Sequence, residues 1–326
     1  MKHKKNALVA IGNTPLVRLE KVVPKSSAEV WLKLEGGNPT GSYKDRMALS
    51  VLSHAIERGD AVTGDTVIEY TGGSTGTALA FVSAVFGLKF IAVFSDAFSK
   101  SKQQAMEAFG AKVLIEKSEN GTITPDLIQR MKKRAYELAK KPKTYYADQF
   151  GSPDVRSGYK PMGIEIAEAL DGKLDIFCAA VGTGAALMGT FDGLVESNVQ
   201  AEVIALEPLQ SPFLTTGKGG PHLVEGIGVG FEPPFLDRSK LKEIRAIDQE
   251  QAFKMCKRLA SEEGIFGGGS TGLNVVAAIK IAKELGPGKR IVTLGCDNGV
   301  KYLGSHIYVY FFQHFYKQKT PLLCGG

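Results

Sequence analysis

Three glycine-rich turns stand where strands are expected to end. Tyr70 runs into Thr71-Gly72-Gly73-Ser74-Thr75-Gly76, and Val181 into Gly182-Thr183-Gly184-Ala185-Ala186. A third turn, Gly267-Gly268-Gly269-Ser270-Thr271-Gly272, opens a helix. Such a turn offers unpaired N–H groups and the positive end of a helix dipole to an anion. A single one is also ordinary structural punctuation. Two or more at strand ends in one α/β chain point to a ligand with several anionic groups, bound at the carboxyl edge of a sheet. The segment Asn38–Arg46 adds a reactive group. It is a turn opening a helix, and Lys44 falls in the first helical turn, where the dipole disfavours an ammonium. If it is also desolvated, such a lysine has a lowered pKa and serves as base or amine nucleophile. Position alone leaves a solvated surface lysine open.

These residues need elements to hold them. Short β-branched or aromatic runs at Val30–Leu34, Val67–Tyr70, Phe90–Phe94, Lys112–Ile115, Thr144–Ala147, Ile176–Val181, Glu202–Leu206 and Ile291–Leu294 read as strands. Several are continuously apolar, as strands covered on both faces are. Between them Arg46–Arg58, Thr77–Val85, Gln103–Phe109, Gln251–Glu262 and Leu273–Leu285 carry helical periodicity, most with Gly just beyond. The alternation predicts βαβ units and a mostly parallel sheet. The Gly- and Pro-rich stretch Pro208–Pro234 reads as a long loop with little periodicity, of the kind that often carries function.

Several function classes drop out. The fingerprint G-x-G-x-x-G has one loose match, Gly182-Thr183-Gly184 running to Leu187, without a third Gly, and the Walker loop is absent. Hydride transfer and nucleotide hydrolysis are therefore disfavoured. The net charge of +6 is mild, and its densest stretches (Lys2 to Lys5, and Lys132–Arg134 with Lys140, Lys141 and Lys143) accompany no nucleic-acid motif. No histidine or cysteine spacing suits a metal. No run approaches ~18 apolar residues, and no signal peptide is evident, so neither membrane nor nucleic-acid partners are expected. The four cysteines form no C-x-x-C pair, which suits free thiols and a cytoplasmic protein. The aromatic segment Ile307–Tyr316 reads as packing or subunit contact.

The segment Asn38-Pro39-Thr40-Gly41-Ser42-Tyr43-Lys44-Asp45-Arg46 resembles the signature of the fold type II pyridoxal-phosphate enzymes, the cysteine synthase and cystathionine β-synthase family. Further segments resemble the family in order: Ile11–Val17, Glu69–Gly76, Asp148-Gln149-Phe150 with Pro153, Gly182–Ala186, Glu207-Pro208, Glu225–Phe231 and Asp297–Leu303. The likeness covers roughly residues 8 to 304. It implies two domains, each with a mostly parallel twisted sheet flanked by helices, as in a tryptophan synthase β-subunit. Residues 8–36 and 153–326 would form the larger cofactor-binding domain, 37–152 a smaller mobile domain that closes on substrate, and 1–7 a basic arm. A homodimer is implied as well.

The resemblance also implies the site. Lys44 forms the Schiff base with pyridoxal 5'-phosphate and then acts as base on the substrate Cα. Gly182, Thr183, Gly184, Ala185 and Ala186 cradle the phosphate. Thr71, Gly72, Gly73, Ser74 and Thr75 take the amino-acid carboxylate, assisted by Gln149. Ser74 is also counted with the cofactor, Gly228 lies near its ring, and Asn298 faces the pyridine nitrogen. The expected reaction is β-replacement on an O-substituted L-serine through an aminoacrylate, with sulfide or a thiol as acceptor. Alternatives within the family are β-elimination and cystathionine or diaminopropionate synthesis. Some positions depart from the family pattern. Ser74 replaces an Asn, Ala185 and Ala186 replace Gly and Thr, and Asn298 replaces a Ser. Gly72 replaces a Ser and argues against racemisation. A neutral partner at the ring nitrogen suits elimination and replacement. The departures also keep open a weakly active, cofactor-bound regulatory role.

Overall fold

The computed structural model describes residues 6–308. The basic stretch Lys2–Lys5, the aromatics beyond Tyr308 and Cys324 lie outside the described residues. Ten strands run through it: β1 Leu16–Arg18, β2 Glu29–Leu34, β3 Thr66–Tyr70, β4 Lys89–Ser95, β5 Lys112–Glu116, β6 Thr144–Tyr146, β7 Ile176–Ala180, β8 Glu202–Pro208, β9 Leu241–Ile247 and β10 Arg290–Gly295. The α-helices are α1 Lys44–Arg58, α2 Ser74–Phe86, α3 Lys100–Ala108, α4 Pro125–Ala139, α5 Asp154–Ser157, α6 Lys160–Ala169, α7 Ala185–Glu196, α8 Phe213–Thr216, α9 Gln249–Arg258 and α10 Gly269–Leu285.

The strands form two sheets, a six-stranded one ordered β1-β2-β10-β7-β8-β9 and a four-stranded one ordered β5-β4-β3-β6. Every pairing is parallel except β1 with β2. The α/β class read from the sequence is the observed one. All five residues of β7 are buried, as a strand covered on both faces requires. The four-stranded sheet lies wholly between residues 66 and 146, while the six-stranded sheet takes strands from both sides of it. One apolar cluster nevertheless spans both, joining Val67 and Phe90 to Phe177 and Val203 through Met47 and Leu52 of α1.

Helix limits follow local chemistry. α1 stops at Gly59, whose φ of 76° supplies the left-handed turn that closes the last carbonyls. α2 and α10 start earlier than their periodicity suggests, at Ser74 and Gly269, because the glycine-rich turns themselves wind into the helix. Thr124 caps α4, with its hydroxyl accepting from the Leu127 N–H at 3.2 Å. Two strands without a strong sequence signal, β1 and β9, are the edges of the larger sheet.

Candidate functional site

Each sheet has one place where the chain order reverses. In the larger sheet, β7 leads outward through α7 to β8, while α10 returns the chain to β10 on the other side of β7. In the smaller sheet the reversal falls between β3 and β6. Ligands of open α/β sheets bind outside the carboxyl ends of strands at such switch points. The β7–β10 ladder is short, pairing only Ile176 with Ile291 and Phe177 with Val292. Beyond it the Asn274 side chain bridges the strands, accepting from the Ala180 N–H (2.8 Å) and donating to the Leu294 carbonyl (2.8 Å). A crevice therefore opens above β7 and β10. The turn Gly182–Ala186 leaves β7 there, and Thr71–Ser74 and Asp148-Gln149 leave β3 and β6 at the other reversal.

Lys44 begins α1 beside the first crevice. Its turn is sewn to the chain after β10: the Tyr43 N–H donates to the Cys296 carbonyl (3.1 Å), and the Asn298 N–H donates to the Gly41 carbonyl (2.9 Å). The lysine is half-buried. Its Nζ stands 5.0 Å from the Tyr43 ring centroid, and among the described residues it has no hydrogen-bond or ion-pair partner. Burial pushes its pKa down to about 8, against an opposing pull from Cys296 and Glu69. Glu69, fully buried at the end of β3, is itself pushed up to about 8 by burial, although the Gln149 (2.9 Å) and Tyr70 (3.0 Å) N–H groups donate to it. At Lys44 burial outweighs that pull, so the amine is free at only mildly alkaline pH. Covalent capture of an aldehyde needs the unprotonated amine. The rate at which apoprotein captures pyridoxal phosphate should therefore rise with pH around a midpoint near 8. Stopped-flow absorbance tests this, and a midpoint near the ordinary 10.5 would refute the burial argument.

The glycine turns are built for close approach. A Cβ on Gly182 would lie 2.5 Å from the Gly226 carbonyl oxygen, and one on Gly184 (φ +85°) would lie 2.7 Å from the Leu236 nitrogen. Thr183 is buried, and its hydroxyl accepts from the Ala185 N–H at 3.3 Å. The first-turn N–H groups of α7 beyond Ala185 have no carbonyl to bond and face the crevice end of the helix. Gly228 is tied to the same turn, its N–H donating to the Val181 carbonyl at 3.0 Å.

At the second turn the side chains are spent on shaping the loop. The Thr71 hydroxyl accepts from the Gly73 (3.0 Å) and Gly76 (3.1 Å) N–H groups. The Thr75 hydroxyl donates to the Gln149 Oε1 (2.8 Å), and the Gln149 Nε2 donates to the Tyr70 carbonyl (3.0 Å). The structure thus brings Thr71, Gly72, Gly73, Ser74, Thr75 and Gln149 together. It leaves the backbone at Gly72–Thr75, at the start of α2, to meet an anion.

The Asn298 side chain is engaged in its own turn. Its Oδ1 accepts from the Val300 N–H at 2.9 Å, capping the turn Gly299–Tyr302, and its Cβ packs against Gly41. Ser270 is buried in the first turn of α10 against the Cys296 thiol, which in turn faces Lys44. Thr271 fixes this arrangement, its hydroxyl accepting from the Cys296 N–H at 3.0 Å. The third glycine-rich turn, visible in the sequence, thus lies next to the Lys44 turn through Cys296.

These residues fit pyridoxal phosphate. An amine without a hydrogen-bond or ion-pair partner among the described residues, a helix N-terminus behind glycines with no room for a Cβ, and a buried neutral hydroxyl on a neighbouring turn suit its aldehyde, its phosphate and its ring nitrogen. A second helix N-terminus remains for a carboxylate.

Comparisons agree. A family model described as pyridoxal-phosphate dependent enzyme matches residues 7–297. The chain is 37% identical to a cysteine synthase of Staphylococcus aureus over 305 residues, covering 93% of this chain and 96% of that protein. It is 36% identical to an O-ureido-L-serine synthase of Streptomyces lavendulae, with 92% and 91% covered. It superposes on the crystal structure of an O-acetylserine dependent cystathionine β-synthase from Helicobacter pylori with a TM-score of 0.87, at 34% identity over 95% of this chain and all of that one.

Proposed function

This chain belongs to the pyridoxal-phosphate dependent enzymes, among the cysteine synthases and their relatives, and on that premise we propose that it performs β-replacement on an O-substituted L-serine. The acceptor in this reading is sulfide or a thiol. The observation that carries it is the Lys44 amine, which among the described residues has no hydrogen-bond or ion-pair partner, in a chain where glycine-rich turns open α2 and α7.

When bound, the cofactor supplies an electron sink that makes a carbanion at Cα affordable and lets the β substituent leave. The chain supplies position and proton transfer. Lys44 holds the cofactor and then, released, takes the Cα proton at its Nζ; an amine with a pKa near 8 is matched to that task. Gly182–Ala186 hold the phosphate. Gly72–Thr75 hold the substrate carboxylate, with Gln149 buttressing Thr75. Ser270 would face the ring nitrogen as a neutral partner, since the Asn298 Oδ1 is taken up by the Val300 N–H. Gly228 lies by the ring. Residues 37–152, which contain the whole four-stranded sheet, would move as the smaller unit that closes and excludes water. A homodimer is part of the same reading. A cytoplasmic location rests on the buried free thiols of Cys178, Cys256 and Cys296. Among the described residues no helix is long and apolar enough to cross a membrane.

The deciding experiment crosses O-acetylserine, O-phosphoserine, serine and cysteine with sulfide and small thiols, scoring the amino-acid product and pyruvate. A new thioether or cysteine supports replacement. Pyruvate alone would move the assignment to elimination, and no turnover of any pair would favour a regulatory protein. A second test concerns the carboxylate loop. A Cβ at Gly72 would sit 3.1 Å from the Phe98 ring edge, so Gly72→Ser crowds the loop without touching the phosphate turn on the other sheet. KM for the serine substrate should rise about tenfold, the effect of roughly 1.4 kcal/mol, while cofactor stoichiometry stays near one per chain. Comparable loss of cofactor would contradict this placement.

A further inference from the structure

Lys102 belongs to α3, on the side of the four-stranded sheet, yet its ammonium is buried and ends on the carboxylate of Glu225. Glu225 immediately precedes Gly226–Gly228, the segment packed on the phosphate turn at Val181 and Gly182. The Lys102 stem lies on the carboxylate loop itself, since a Cβ on Gly73 would overlap its methylenes. Its Nζ also stands 5.5 Å from the Tyr302 ring centroid, and the Tyr302 hydroxyl donates to Asp297 at 2.6 Å. Asp297 bridges to Ser42, two residues before Lys44. One side chain therefore touches the loop for the substrate carboxylate and the loop against the cofactor, and reaches the lysine turn through Tyr302 and Asp297.

We propose that Lys102 is a positioning residue for the amino-acid substrate: its ion pair with Glu225 spans the two sheets and sets the carboxylate loop at its working distance from the cofactor. The inference rests on the β-replacement reading. The physical reason is cost. The Lys102 side chain is 7% exposed and Glu225 40%, so separating the sheets here would take from a buried ammonium its one carboxylate, and the pair favours one closed separation. Gly73 transmits it, because the loop cannot move without the stem that covers it. No bond is made or broken in this role.

The test uses holoenzyme of the wild type, Lys102→Met, Glu225→Gln and the double variant. KM for O-acetylserine should rise about tenfold in each single variant, while kcat changes less than threefold. The double variant should be no worse than the weaker single, because one interaction is removed only once. Hydrogen exchange without substrate gives an independent reading. Amides of residues 71–77 and of 224–230 should exchange faster in both single variants, on both sides of the cleft. Exchange that accelerates only around residue 102, additive losses in the double variant, or a fall in kcat with KM intact would each overturn the proposal. If the wild type fails to turn over O-acetylserine, the reaction assignment fails, and the exchange measurement still decides the role of Lys102.

Discussion

Lys44→Ala should be isolated without the cofactor's visible absorption band and should turn over at least about 10³-fold more slowly than the wild type. The size follows from two losses. A positioned general base contributes roughly 10²–10⁴-fold, and the covalent hold on the cofactor disappears with the same amine. The fold should survive, because the Lys44 side chain supports nothing else: its Nζ makes no hydrogen bond or ion pair among the described residues. The turn is held instead by backbone, through Tyr43 to Cys296 and Gly41 to Asn298. Thermal melting of the two apoproteins should therefore agree within a few degrees. Lys44→Arg is the sharper control. It keeps a cation and its length, but a guanidinium stays protonated and forms no such link. Both variants should be equally dead, whereas added small primary amines should restore part of the proton transfer in the alanine variant only. A variant that keeps the band and normal turnover would remove Lys44 from the mechanism.

Much of this was readable before any coordinates. The strands that carry the site are apolar runs ending in glycine turns, because parallel strands are buried on both faces and their ends must bend sharply toward a ligand. β9 was hidden because Leu241–Ile247 mixes Lys242, Glu243 and Arg245 into a half-buried edge, and charged edges look like loop. β1 is three residues long and draws its pairing from Trp31–Lys33. The helix at Pro125–Ala139 did carry signals, a Thr124 cap and buried Leu127, Met131 and Ala135 at four-residue spacing. The proposed preference for Ser270 over Asn298 has a different cause. Both follow or open glycine-bearing turns, and only contacts distant in sequence decide between them: Cys296 is hydrogen-bonded to Thr271, which turns Ser270 inward, while Asn298 caps its own turn. Lys102 was illegible for a similar reason. A lysine on a helix reads as solvated until the partner across the cleft is known.

Arg46→Met should destabilise the protein by about 3–5 kcal/mol, the range for stranding a buried charge, and lower Tm by roughly 10 °C. Arg46 grips Glu35 with two N–H groups (2.7 and 2.9 Å) and Glu165 with two more (2.8 and 2.7 Å). Glu35 is fully buried, and Thr14 and Asn38 also donate to it. Lys33 completes a neutral set of two cations and two anions by donating to Glu165 at 2.6 Å. Methionine fills the volume but leaves Glu35 with no cation. Arg46→Lys should lose less, yet cannot reproduce the planar fork. The acid dependence separates charge from packing. Burial opposes the Glu165 carboxylate, but Arg46, Lys33 and the Asn13 N–H outweigh it and hold its pKa at about 2, below the ordinary 4.5. A depressed acid gives stability that is fully present above 4.5 and lost as pH falls toward 2. Wild-type Tm should thus hold from pH 7 to about 5 and then decline. In the variant Glu165 loses the partner that holds its pKa down, so less of this acid-labile stability remains to be lost, and the Tm gap should be widest near pH 7 and narrow on acidification. A gap independent of pH would mean that packing, not charge, is what Arg46 contributes. Because this network ties residues 12–14, 35–38 and 165 to the first turns of α1, its loss should also misplace the amine two residues earlier. Holoenzyme of Arg46→Met that remains folded at 20 °C should accordingly show a lower kcat, with the cofactor still attached.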